Sequence, residues 1–155
     1  MGTRYQGTTE DIRALNAFIK LMRAAESLTY RLHKPLSEHG LTASQFGVLE
    51  SLLHLGPLCQ TELGRKLLKS TGNITLVVDN LEKRNLVHRD RDSSDRRFIT
   101  VSLTDDGRKL IRQVLPERVR HIRNEMDILN AEEQETLGRL CKHIGTQNRE
   151  HELET

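Results

Sequence analysis

Between Ser70 and Arg84 the chain carries side chains whose chemistry suits contact with base edges and phosphates. An Asn amide can pair with adenine in a major groove, and a Leu or Thr methyl can meet the methyl of thymine. Thr71, Asn73, Thr75, Leu76 and Asn80 are small or neutral and share one side of a helical pattern. On the other side Ile74, Val77, Val78 and Leu81 recur at i, i+3, i+4 and i+7, which makes one buried stripe. Ser70 stands at the entrance. Lys66, Lys69 and Arg84 flank the stretch with charge for phosphates, although each would serve equally as a solvated surface cation. An ordinary amphipathic helix could show the same two faces, so the neighbouring elements decide the reading.

Ahead of the stretch, residues 61–68 form a predicted helix with Leu63, Leu67 and Leu68 inward, and Lys69-Ser70-Thr71-Gly72 is the predicted turn between the two helices. This is a helix-turn-helix pattern. Beyond it, Asn85 can take the left-handed conformation that ends a helix. Leu86-Val87-His88-Arg89 then begins a strand, and Phe98 to Leu103 alternates with Ile99, Val101 and Leu103 on one face. The eight residues from Asp90 to Arg97 are too charged to be buried and form the loop of a hairpin. There Arg96 and Arg97 have Asp92 and Asp95 as ready partners. A helix-turn-helix followed by such a hairpin is a winged helix.

The hairpin carries a specific motif. Asp95, Arg97, Val101, Leu103, Thr104 and Gly107 reproduce the spacing D-x-R-x-x-x-V-x-L-T-x-x-G, and in this the chain resembles the MarR family of transcriptional regulators. Leu41-Thr42, Gln45-Phe46, Val48-Leu49 and Asp79-x-Leu81-Glu82 also sit where that family has them, so the resemblance covers nearly the whole chain. One departure is Asn85, where the family more often has glycine. Leu58 through Glu82 further resembles the branch that governs resistance to catechols and quinones. The resemblance implies that Arg97 enters the minor groove at the wing tip, with Asp95 holding its orientation and Arg96 beside it. It also implies a homodimer interlocked through its terminal helices, with a small phenolic or lipophilic effector between those helices and the winged unit. Met22, Tyr30, His33, Phe46 and His54 are candidates to line that cleft, and are equally good core or surface residues.

The rest of the chain supplies the helices such a unit needs. Thr8 or Thr9 caps a long helix whose stripe is Ile12, Leu15, Phe18, Ile19, Met22, Ala25, Leu28 and Leu32, with Pro35 predicted to interrupt it. Thr42-x-x-Gln45 is a capping box for a helix burying Phe46, Leu49, Leu52 and Leu53, which Gly56-Pro57 stops. Thr104 caps a helix with the stripe Leu110, Ile111, Val114, Leu115, Val119, Ile122, Met126 and Leu129, which Pro116 is predicted to bend. Asn130-x-x-Glu133 caps a last helix with Leu137, Leu140, Cys141 and Ile144 on one face. The expected fold is mainly α with a small β-hairpin wing. It is one domain over residues 1–155, with a winged helix-turn-helix at 42–103 between dimerisation helices at 8–34 and 105–146. Those terminal helices carry more apolar stripe than a small winged unit can cover. A second copy is the simplest partner, and it would set two recognition helices about 34 Å apart on a palindromic double-stranded operator.

Composition narrows the alternatives. The chain is 35% hydrophobic, 3% aromatic and 30% charged, which suits a helical protein with solvated faces. It has no apolar run long enough for a membrane span and no signal-peptide pattern, so a cytoplasmic protein is expected. Its net charge of +2 is too small to argue nucleic-acid binding alone. Residues 57–97, however, hold nine Lys or Arg against six acids, while the remainder is close to neutral. No G-x-S-x-G, phosphate-cradling glycine loop or cluster of His with carboxylates argues for an enzyme or a cofactor. His33, His39 and His54 lack a ligand spacing, and His121 stands alone on its helix, so no metal is expected. Cys59 precedes a helix N-terminus, which would lower a thiol pKa, so a thiol-redox regulator is an alternative. Cys141 reads as a core residue. A winged-helix interaction dimer that does not bind DNA is the remaining rival.

Overall fold

Side chains three residues apart fix the first turns of three helices. Thr8 accepts from the Asp11 N–H while the Asp11 carboxylate accepts from the Thr8 N–H, at 3.1 Å each. Thr42 with Gln45, and Asn130 with Glu133, make the same reciprocal pairs. In the computed structural model, which describes residues 2–91 and 99–146, these caps open α1 (Thr9–Glu38), α2 (Ala43–Leu55) and α6 (Ala131–Gly145). Between α2 and α6 run β1 (Leu58–Cys59), α3 (Gln60–Leu67), α4 (Thr71–Lys83), β2 (Val87–Arg91), β3 (Ile99–Leu103) and α5 (Asp105–Met126). The chain forms two compact units, residues 1–119 and residues 120–155.

In the first unit the strands make one antiparallel sheet of order β1-β3-β2, with Leu58 opposite Val101 and Val87 opposite Leu103. The core joins Leu36 of α1, Val48 and Leu49 of α2, Leu63 of α3 and the whole Ile74–Val77–Val78–Leu81 stripe of α4 to Val87, Val101, Ile111 and Val114. The expected winged helix-turn-helix is therefore the observed fold. β1 is an addition: two residues are too short to show a period, and their pairing with β3 is a tertiary fact. β2 also reaches Arg91, taking in Asp90, which the charge pattern had assigned to the loop.

Three further expectations are corrected. α1 runs through Pro35 to Glu38 rather than being interrupted there. Proline removes a donor and crowds the preceding turn. Leu36 beside it is 2% exposed in the core, and Arg118 Nη1 donates to the Leu32 carbonyl (2.7 Å) within the disturbed turn. Leu68 is not inward but 87% exposed, because α3 stops at Leu67 and Leu68 turns left-handed (φ 52°). Thr71 and Gly72 belong to α4 rather than to the turn, which is confined to Leu68–Ser70. As expected, α5 continues past Pro116.

Much of the apolar stripe on α1 is uncovered, with Phe18 59% and Met22 43% exposed. In the second unit Gln134 Nε2 donates to the Met126 and Leu129 carbonyls (3.2 and 2.9 Å), closing the end of α5 onto the start of α6. No residue of α6 is buried. Cys141, expected in a core, is exposed with Leu137, Leu140 and Ile144 on the same apolar face.

Candidate nucleic-acid interface

The recognition helix is set by the turn before it and the hairpin after it. After Leu68, the Lys69 N–H returns to the Gly64 carbonyl (2.9 Å). A β-carbon on Gly64 would stand 3.1 Å from the Lys69 carbonyl, so the turn is drawn tight at that glycine. Ser70 Oγ then accepts from the Asn73 N–H (3.4 Å) and caps α4. With Ile74, Val78 and Leu81 fully buried, the helix can present only one face outward. Thr71, Asn73, Leu76 and Asn80 are exposed there, Thr75 is half-buried, and Lys69 and Ser70 stand exposed at its entrance. These proposed contact residues are thus brought together. Arg84 is exposed at the far end, and its Nη1 donates to the Gly40 carbonyl (2.7 Å), which also ties α4 to the α1–α2 turn. Asp95, Arg96 and Arg97 lie outside the described residues.

The exit from α4 explains the motif that follows it. Asn85 is left-handed (φ 56°), as expected, and its carbonyl accepts from Thr104 Oγ1 (2.6 Å). Thr104 Oγ1 itself accepts from the Gly107 N–H (3.0 Å), capping α5, while the Thr104 N–H reaches the Leu86 carbonyl (3.2 Å). A β-carbon at Gly107 would lie 1.9 Å from the Leu86 carbonyl oxygen, so only glycine allows α5 to start there.

A polar clamp locks the wing to the recognition helix, and sequence reading did not find it. Arg89 of β2 donates through Nη2 to Asp79 Oδ1 and through Nη1 to Glu82 Oε2, both at 2.5 Å. Its Nε donates to Gln60 Oε1 (3.0 Å), and its backbone N–H to Glu82 Oε1 (3.0 Å). Gln60 Nε2 in turn donates to Thr75 Oγ1 (2.9 Å), whose own proton goes to the Thr71 carbonyl (2.9 Å). The available signal was two acids at i and i+3 on α4 with an arginine on the strand that must pack beside them. At the base of the hairpin, His88 pairs with Asp90 (2.9 Å). At the mouth of α3, the Glu62 carboxyl is held below its ordinary value by the hydrogen bond from the Cys59 N–H (2.7 Å).

The proposed effector residues sit on two helices, Met22, Tyr30 and His33 on α1 and Phe46 and His54 on α2. Phe46 is buried, with the Arg118 guanidinium 5.8 Å from its ring centroid. Burial holds that guanidinium below its ordinary pKa, against the opposing charge of Glu50. Tyr30 and His33 line a shallow concavity of about 420 Å³ on α1 with Ala25, Glu26 and Thr29. Met22 and His54 are exposed elsewhere. Among the described residues no cluster of three or more His, Cys, Asp or Glu is placed to hold a metal, and no helix is long and apolar enough to cross a membrane.

A capped helix pair with a neutral outward face, locked to an antiparallel wing, defines a winged helix-turn-helix protein. The sequence model of the MarR family matches residues 41–99. The chain is 34% identical over 133 residues, 86% of its length and 92% of the relative's, to the HTH-type transcriptional regulator MhqR of Bacillus subtilis. Two solved structures agree. One is Sco3205, a MarR family regulator of Streptomyces coelicolor in complex with DNA (25% identity, TM-score 0.82, covering 92% of this chain and 91% of that one). The other is Bordetella bronchiseptica BpsR, whose DNA binding is regulated by 6-hydroxynicotinic acid (25%, TM-score 0.77, covering 83% and 98%). The chain belongs to the MarR family and is a DNA-binding transcriptional regulator, not an enzyme.

Proposed function

We propose that the protein is a dimeric, cytoplasmic repressor that binds a palindromic operator and is released by a small phenolic or other lipophilic effector. The observation that carries the dimer is the uncovered apolar face of α6, where Leu137, Leu140 and Ile144 are 38–58% exposed in the single chain. Three such residues on one 15-residue helix exceed what scattered surface hydrophobes require. On the operator, α4 would enter the major groove, with Asn73, Thr71, Thr75, Leu76 and Asn80 at the bases and Lys69, Ser70 and Arg84 toward phosphates. Asp95, Arg96 and Arg97 would serve the minor groove. Release would be a population shift: an effector seated between dimer helices favours a spacing of the two recognition helices that no longer fits the operator. BpsR, regulated by a hydroxylated aromatic acid, and the resemblance to the catechol and quinone branch support that class of effector.

The test is selection of bound sequences from random duplexes, followed by titration of the selected operator with a panel of phenols and quinones. A palindromic site released by one of these compounds is expected. The alternative through Cys59 rests on its half-buried place at the start of α3, next to Gln60 of the clamp. Release of the parent by peroxide or quinone, with Cys59→Ser staying bound, would favour it.

A further inference from the structure

The outward face of α4 carries one large apolar side chain, Leu76, 62% exposed. A lone exposed leucine is ordinary on a protein surface. What gives it meaning is the state of its neighbour, Thr75. Arginine can only donate, so the Gln60 oxygen must face Arg89 Nε, and the Gln60 NH₂ therefore faces Thr75. The Thr75 oxygen must then accept, and its single proton is directed to the Thr71 carbonyl. The hydroxyl has no proton left for a base, so the purine N7 and O6 acceptors and thymine O4 are closed to it. One lone pair of that oxygen stays open, to a base N–H donor alone; otherwise its methyl group and the Leu76 side chain remain.

We propose that Thr75 and Leu76 form a methyl-reading pair, so that the operator is specified at their positions by the C5-methyl groups of thymine rather than by hydrogen bonds from Thr75. This rests on the reading of α4 as the major-groove helix and names what that helix selects. Asn73 remains the amide reader on the same face, and the Thr71 carbonyl, which takes the proton, together with Gln60, which takes one lone pair, turns Thr75 toward apolar readout. The operator half-site should accordingly hold thymines whose methyl groups, not merely whose base pairs, are required.

The experiment uses the full chain and the duplex enriched from random sequence, with each thymine replaced singly by deoxyuridine, which keeps the pairing and deletes the methyl. At one or two thymines per half-site the parent should lose about fourfold in affinity, the worth of one buried methyl. Thr75→Ser, which keeps the hydroxyl and its two partners, changes both protomers and should lose about that factor squared, roughly fifteenfold, on the palindromic parent duplex. At one of those thymines it should then be indifferent to deoxyuridine. Leu76→Ala should behave likewise at the other. Thr75→Val, which keeps the methyl and puts a second one in place of the hydroxyl, should bind within about twofold of the parent. The idea is overturned by indifference of the parent to every deoxyuridine, or by Thr75→Val losing what Thr75→Ser keeps. Equal losses on specific and unrelated duplexes would place the effect in folding and overturn it too. A parent that enriches no sequence at all overturns the major-groove reading itself, a distinguishable failure.

Discussion

Arg89→Ala should loosen the wing from the recognition helix. Three guanidinium hydrogen bonds disappear, to Asp79, Glu82 and Gln60, while the backbone bond from Arg89 to Glu82 survives. Buried bonds to charged groups are worth about 1.5–3 kcal/mol each, exposed ion pairs about 0.2–1 kcal/mol. The arginine side chain is 20% exposed, but Asp79 and Glu82 are 43% and 40% exposed, so each pair belongs between those limits, near 1 kcal/mol. Adding the Gln60 bond and the repulsion of two acids left at i and i+3, the loss should be about 2–3 kcal/mol. Urea unfolding at fixed protein concentration measures it, with the midpoint falling and the slope unchanged. Arg89→Lys should recover less than half, because an ammonium cannot reproduce the fork to two carboxylates and an amide. A double-mutant cycle with Asp79→Asn should show coupling of about 1 kcal/mol. If Arg89→Ala stays within about 0.5 kcal/mol of the parent and the cycle closes to zero, the clamp is a solvated surface pair and the argument that it presets Thr75 fails with it.

Gly107→Ala should cost about 3 kcal/mol, since an ordinary carbon–oxygen contact of about 3.3 Å replaces one of 1.9 Å only if α5 leaves Leu86; thermal unfolding reads this, and a neutral result refutes the close approach. Glu62 and Asp11 have carboxyls held below their ordinary 4.5 and 3.8, Glu62 by the Cys59 N–H and Asp11 by Thr8. Their contribution is therefore present above those values and lost as pH falls through the depressed ones, so Glu62→Gln and Asp11→Asn should each narrow the stability gap to the parent below about pH 4 in acid titrations. Leu140→Asp should turn the proposed dimer into a monomer by sedimentation while α4 and the wing stay folded; an unchanged dimer would place the interface elsewhere.

How much of this was legible in the residues depended on how local the cause was. The caps at Thr8, Thr42 and Asn130, the left-handed Asn85 and the α4 stripe each follow from a few consecutive residues, and each was read correctly. Pro35 and Leu68 were misread because a buried neighbour and a left-handed turn overrode the local preference. β1 and the Arg89 clamp join residues 7 to 43 positions apart on different elements, which no periodicity shows. The wing motif lies between these cases. Of its six residues, Val101 and Leu103 are core, and Thr104 and Gly107 dock α5 onto Asn85 and Leu86. Asp95 and Arg97, outside the described residues, are the two with a proposed role at DNA. The motif therefore identifies the family mostly by how a helix is seated against the exit of α4. On the proposed reading, what α4 selects is set by residues outside the motif: Gln60, held by Arg89, and the Thr71 carbonyl, which fix the Thr75 hydroxyl, and Leu76, which is 62% exposed. Two proteins could share the wing motif in full and differ in operator through Gln60 alone, because replacing it frees the Thr75 lone pair that now accepts from the Gln60 amide, while the Thr71 carbonyl still holds the proton.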